Sequence, residues 1–228
     1  MSLFAIADTH LSFASNKPMD DFEGWFNYTD RLKENWNKII DDKDYVVIAG
    51  DISWAMNFDE LKADFDYINQ LNGKKIILKG NHDYWWNTMS KMNNFIEENN
   101  FNTISILHNN AFDFDDFSVC GSRGWFFDSD EEQNEKVLNR EVMRIKASIE
   151  SALNCEKIVF LHYPPVYENQ CCEEIVSLLK EKGIKKCYYG HIHGVAAKYA
   201  FDDNYDGIDF KLISADRLNF MPLLIKKF

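Results

Sequence analysis

The chain lacks the features that mark membrane, secreted, fibrous and nucleic-acid-binding proteins. No apolar run in its 228 residues reaches the roughly 20 residues needed to span a bilayer, so no membrane association is expected. The start, Met1-Ser2-Leu3-Phe4-Ala5-Ile6-Ala7-Asp8, has no basic segment, and its apolar stretch ends early at an acid. It does not read as a signal peptide. The five cysteines (Cys120, Cys155, Cys171, Cys172, Cys187) are odd in number, and none pair as C-x-x-C. That argues against a disulfide framework or zinc knuckle and for free thiols in a reducing cytoplasm. Proline is scarce, at four residues, and no Pro-, Gly- or Ser-rich stretch reads as a linker. There is no internal repeat. Positive charge is in deficit: 25 Lys and Arg face 37 Asp and Glu, for a net −12. An acidic chain repels polyanions, so nucleic acid is a disfavoured partner.

What is present points to one globular domain over residues 1–228. The chain is 46% hydrophobic and 15% aromatic, enough to bury one core at this length. Short apolar runs at Leu3–Ala7, Tyr45–Ala49, Lys75–Leu78, Ile158–Leu161 and Lys186–Tyr189 read as buried strands. Helical periodicity covers Tyr28–Ile40, Phe58–Leu71, Trp86–Phe95, Glu131–Leu153 and Cys171–Lys182, the last stopped by Gly183. This alternation predicts a mostly parallel sheet flanked by helices. Thr103–Ile106, Ala111–Phe114 and Phe117–Cys120 read as further short strands, and Ala196–Phe201 with Ile208–Ser214 as a hairpin around a turn-rich loop. The extra strands imply an α/β sandwich with two sheets.

Polar residues fall in one pattern. The five core strands run into Asp8-Thr9-His10, Gly50-Asp51, Gly80-Asn81-His82-Asp83, His162 and Gly190-His191-Ile192-His193. Ligands of open α/β sheets collect at the carboxyl ends of the strands, so these segments are expected to meet in one cleft. Of the six histidines, only His108 lies outside them. Carboxylate and imidazole donors without thiolate suit divalent Mn, Fe, Zn, Co or Ni.

In this order, the five segments closely resemble the motif blocks of the calcineurin-like metallophosphoesterase superfamily. Gly-Asp alone means little, whereas Gly-Asn-His-Asp followed by Gly-His-x-His is specific. The resemblance implies a four-layer α/β/β/α sandwich of two mixed sheets. It implies two divalent metal ions, Mn or Fe first and Zn, Ni or Co next. Asp8, His10 and His193 would hold one, and Asn81, His162 and His191 the other, with Asp51 bridging. The implied activity is hydrolysis of phosphate mono- or diesters by a hydroxide shared between the metals. His82 would act as general acid, and Asp83 would hydrogen-bond its ring and favour the protonated form.

Other residues carry two readings each. Arg123, in Gly121-Ser122-Arg123-Gly124-Trp125, is either a fork onto a substrate phosphate or a surface ion pair. Trp54, Trp85 and Trp86 form either an aromatic wall for a flat group or part of the core. His108 reads as a turn residue. A nuclease or a protein phosphatase is the alternative within the same chemistry. A non-catalytic metal-bound scaffold is the alternative outside it, disfavoured because every motif position is filled. Motifs define the reaction centre, while loops set the substrate.

Overall fold

The computed structural model describes residues 1–125 and 135–228. In chain order the elements are β1 (Ser2–Ile6), α1 (Tyr28–Ile39), β2 (Tyr45–Ala49), α2 (Phe58–Gln70), β3 (Lys74–Leu78), α3 (Met89–Glu98), β4 (Ile104–Ile106), β5 (Phe112–Asp113) and β6 (Phe117–Ser122). There follow α4 (Glu135–Ser151), β7 (Glu156–Leu161), β8 (Val166–Tyr167), β9 (Gln170–Cys171), α5 (Glu173–Glu181), β10 (Lys186–Tyr189), β11 (Asn204–Tyr205), β12 (Ile208–Leu212) and β13 (Leu223–Lys227). One sheet runs β13-β1-β2-β3-β4 and the other β11-β12-β10-β7-β6-β5. Both are mixed: parallel interiors end in antiparallel strands β13, β11 and β5.

Strand alternation builds the layers. In β1, Leu3 and Ala5 point into the space between the sheets, where they meet Val47, Ile76, Phe117 and Phe160. Phe4 and Ile6 point the other way, onto Leu32, Trp36, Phe65 and Phe95 of α1, α2 and α3. The far face of the second sheet packs Val159, Leu161 and Cys187 against Leu138, Ile145 and Leu179 of α4 and α5. The order is therefore helices, sheet, sheet, helices, as the resemblance implies. Residues at alternating strand positions are buried on both sides, which is why these strands read as continuous apolar runs.

At the carboxyl edge the two sheets join. The Ala7 amide donates to the Ile213 carbonyl (2.8 Å), and the Ala215 amide donates back to Ala7 (2.9 Å). Strand ends from both sheets are thus held side by side.

Two expectations change, and one strand is new. Ala196–Phe201 is not a strand: Gly194–Tyr199 coils into a 3-10 helix. The edge of β12 is taken instead by Asn204–Tyr205, through a tight turn in which Asp206 and Gly207 have φ of 53° and 84°. Two successive left-handed residues make the Asp-Gly turn that matches strand twist. Helix α3 starts at Met89 rather than Trp86, because the Trp86 amide is tied back to the Asp83 carbonyl at 3.1 Å. The antiparallel β13 escapes sequence reading because its Lys226-Lys227 end breaks the apolar run. Residues 131–134 of the expected helix Glu131–Leu153 lie outside the described residues. Gly183 ends α5 with φ +70°, as expected.

Candidate metal centre

Three of the five ligand-bearing segments turn sharply as they leave their strands. Asp8, His10, Asp51 and His191 all have positive φ, at 57°, 43°, 48° and 72°. Such backbone is strained for most side chains and least so for short polar ones. Strain of this kind persists where the surrounding structure over-determines it, often at functional sites. Two glycines allow close approach. A Cβ on Gly80 would collide with the amide nitrogen and carboxylate of Asp51, and one on Gly190 would lie 2.7 Å from Asp8 Oδ2.

The side chains converge. Asp8, His10 and Asp51 bring ligand atoms within 4.8 Å of one another, and so do Asp51, His162 and His191. Asp51 belongs to both groups. Asn81 Oδ1 completes the second, 2.7 Å from His162 Nε2 and 3.0 Å from His191 Nδ1. His193 joins the first, its ring centre 5.4 Å from that of His10. His162 Nδ1 lies 3.1 Å from the Ala49 carbonyl. Donation there leaves the Nε2 lone pair facing Asn81 and Asp51, the orientation expected of a metal-ligating histidine. Asp8 accepts the His191 amide at both oxygens, 3.0 and 2.9 Å.

Electrostatics fit a cationic occupant. Burial pushes the Asp8 carboxyl up to about 8 and raises Asp51 far above its usual range, where the charges of Asp83 and Asp8 add to the effect. Burial also holds His10 and His162 well below the ordinary imidazole value, with neighbouring histidines acting the same way. Neutral imidazole is the form that binds metal. Both ring nitrogens of His10 are buried without a hydrogen-bond partner among the described residues. Buried polar groups are ordinarily satisfied, so this orphaned ring is the strongest sign that the cluster is built around a metal.

His82 sits beside this cluster with its amide on Asp51 Oδ1 at 2.8 Å. Its ring packs 4.4 Å from Trp54, and its Nδ1 lies 3.2 Å from the Tyr84 hydroxyl. The expected Asp83–His82 bond is replaced by another arrangement. Asp83 is buried, and its carboxylate accepts from the amides of Gly80 (2.7 Å), Ile52 (2.9 Å) and Ser53 (3.3 Å) and from Trp85 Nε1 (3.1 Å). With those acceptor positions taken, it clamps two ligand loops together instead of orienting the imidazole. Nor is His82 pushed toward protonation: burial, then His193 and Lys17, lower its pKa.

Of the three tryptophans, Trp85 is core and Trp86 is half-buried against it. Only Trp54 faces the centre, stacked on His10 at 4.9 Å. The Arg123 carbonyl accepts the amides of His162 (3.1 Å) and Tyr163 (2.8 Å), and its guanidinium lies 5.6 Å from the Tyr163 ring centre. Tyr163 in turn packs 4.6 Å from the His191 ring. His108 is half-buried beside Trp86 rather than in an exposed turn. Sequence reading missed the cleft beside His82, which includes Lys17 and Lys198; Lys17 lies in an irregular loop and Lys198 in the 3-10 helix after His193, neither within a motif.

A family model for calcineurin-like phosphoesterases matches residues 1–195. The chain belongs to this family. The family is one of phosphoesterases, and the Asp and His groups above are compatible with a metal centre. An uncharacterized protein of Methanocaldococcus jannaschii is 34% identical over 86 residues, 36% of this chain. The match spans 46% of that relative's length. Among solved structures, phosphopantetheinyl hydrolase of Mycobacterium tuberculosis superposes with a TM-score of 0.57 at 14% identity, over 100% of this chain and 96% of that one. A protein of unknown function from Aquifex aeolicus gives 0.51 at 16% identity, over 98% and 95%. At such identities the likeness concerns the fold. No helix among the described residues of this chain is long and apolar enough to cross a membrane.

Proposed function

We propose that this chain hydrolyses phosphate mono- or diesters at a dinuclear metal centre. Asp8, His10, His193 and Asp51 would hold one cation, and Asp51, Asn81, His162 and His191 the other. The observation that carries the reading is the membership of Asp51 in both ligand groups, beside a His10 whose ring nitrogens have no hydrogen-bond partner among the described residues. When bound, the cations supply Lewis acidity, lowering the pKa of water toward neutrality and offsetting charge on the phosphoryl oxygens. The donor set suits Mn or Fe, with Zn, Ni or Co next.

The chain's own groups do the rest. Asp51 has two carboxylate oxygens and can serve both sites, whereas Asn81 offers one neutral oxygen and serves as a terminal ligand. His82 stands at the mouth of the cleft and donates a proton to the departing alkoxide. Burial lowers its pKa, and the negative charge of a bound phosphate ester acts in the opposite direction, favouring the imidazolium. Arg123, whose guanidinium lies over the Tyr163 ring, would supply a fork for a substrate phosphate. The net charge of −12 argues for a small or medium ester over nucleic acid. Five free cysteines suit a reducing cytoplasm.

The test is a titration of metal-depleted protein with Mn2+, following metal content and hydrolysis of p-nitrophenyl phosphate and bis-p-nitrophenyl phosphate. Two ions per chain and turnover of at least one ester are expected. Two ions bound with neither ester cleaved would instead favour a scaffold.

A further inference from the structure

A cleft of about 1030 Å³ opens from the metal centre on the side of His82 and His193. Half of its lining residues come from the β1–α1 loop, between Asn16 and Trp25, and others from the segment after His193. Two large apolar side chains on its lining stay open to solvent: Phe22 is 60% exposed and Val195 71%. Exposed apolar groups gathered at a concave site mark binding surfaces. The half-buried Trp54 lies between centre and cleft, stacked on His10 and packed against His82.

Lys17 lies over the Trp54 ring, its Nζ 5.5 Å from the centroid. Lys198 lines the cleft from the segment after His193, and neither lysine makes an ion pair among the described residues. Other lining charges are differently placed. Arg31 donates to the carbonyls of Gly24 (2.8 Å) and Phe26 (3.2 Å). Asp216 accepts the amides of Gly194 (2.6 Å) and Arg217 (2.8 Å). Asp21 and Glu23 also line the cleft; the charge of Asp216 is felt at His193 and Asp8, and that of the Lys17 ammonium at His82, the leaving-group side.

If His82 protonates the leaving group, the leaving group lies on the His82 side, in this cleft. We propose that the cleft is the leaving-group pocket, and that its occupant is a phosphate ester whose alcohol portion joins an apolar body to a second anionic group met by Lys17 and Lys198. This rests on the phosphohydrolase reading above.

Four esters separate the two features. Glycerol 3-phosphate has neither, 2-phenylethyl phosphate has the apolar body, fructose 1,6-bisphosphate has the second anion, and adenosine 3′,5′-bisphosphate has both. With Mn2+-loaded protein, kcat/KM is expected to be highest for adenosine 3′,5′-bisphosphate, by at least about 10-fold, the worth of one charge-assisted hydrogen bond. Lys17→Ala and Lys198→Ala are expected to reduce that value about 10-fold more than they reduce kcat/KM for p-nitrophenyl phosphate, and Lys17→Arg to recover most of it. Without added metal, adenosine 3′,5′-bisphosphate is expected to quench tryptophan fluorescence, more weakly in both alanine variants. Equal kcat/KM across the four esters, or equal losses on both substrates, overturns the pocket assignment while p-nitrophenyl phosphate turnover keeps the hydrolase reading. Lysine-dependent quenching with no turnover of any ester keeps the pocket as a binding site and overturns the hydrolase reading.

Discussion

Asp83 Oδ1 accepts the amide of Ile52 at 2.9 Å, tying the loop after β3 to the loop after β2. Asp51 and Asn81 sit on those two loops, so this carboxylate sets the spacing between them. An Asp83→Asn side chain would direct an amide N–H at one of four donors and leave a buried group unsatisfied. The expected cost is about 1–3 kcal/mol, together with weaker metal retention. Because Tyr84 rather than Asp83 contacts the His82 ring, Tyr84→Phe should shift the pH–rate profile and Asp83→Asn should not. Urea unfolding, metal analysis and the two pH profiles check this. A shifted profile in Asp83→Asn with unchanged stability would restore the role expected from the sequence.

His82 and Asp51 are separable by mutation although they touch. His82→Ala is expected to keep both metals and lose about 10²–10⁴ in turnover of an alkyl phosphate. The loss should shrink for p-nitrophenyl phosphate, whose leaving group needs no proton. Asp51→Asn should lose metal and activity together. Metal content measured beside single-turnover rates decides the matter, and loss of metal in His82→Ala would make His82 a ligand.

Five strands and the ligand residues after them are legible because two local signals coincide: an apolar run too short for a helix, then polar residues beside glycine. The convergence of Asp8, Asp51, Asn81, His162 and His191 follows from strand direction alone. Partners are not legible in the same way. Asp83 follows His82 in sequence yet serves Gly80, Ile52, Ser53 and Trp85, because a carboxylate buried under two loops answers the nearest unsatisfied amides. Lys17 sits in an irregular loop, and only the folded chain shows that this loop lies over Trp54. Ala196–Phe201 reads as a strand by composition, but Gly194–Tyr199 coils into a 3-10 helix and β11 holds the sheet edge.

Gly80 should tolerate no side chain. A Cβ there would meet the amide nitrogen and carboxylate of Asp51, which are rigid neighbours on a buried loop. Gly80→Ala is therefore expected to displace Asp51, abolish tight metal binding and cost at least about 1–3 kcal/mol, as overpacking does. The control is Gly24→Ala, where a Cβ meets nothing within 4 Å; it should keep metal and bear only the backbone cost of its positive φ. Equal metal affinity in Gly80→Ala and the parent chain would refute the close-approach argument.

Lys75 offers a pH test away from the metal centre. Its side chain is buried, and Nζ donates to the carbonyls of Leu71 (2.6 Å) and Gly73 (2.8 Å). Burial lowers its pKa from 10.5 to about 8, with the charge of Asp42 acting the other way. Below pH 8 the folded and unfolded chains both carry the proton, and the folded state bears the full cost of a buried charge. Between about 8 and 10.5 the folded chain releases this proton while the unfolded chain keeps it. The unfolded state then binds more protons, so Lys75 makes stability rise with pH across that window. The gain is on the order of 3 kcal/mol. Lys75→Met keeps the stem's packing and removes the titration. Urea unfolding at pH 7.5 and pH 10 should show the parent chain gaining on Lys75→Met by about that amount. A stability difference that stays constant, or moves against the parent chain as pH rises, would show that the two carbonyls hold this ammonium charged throughout.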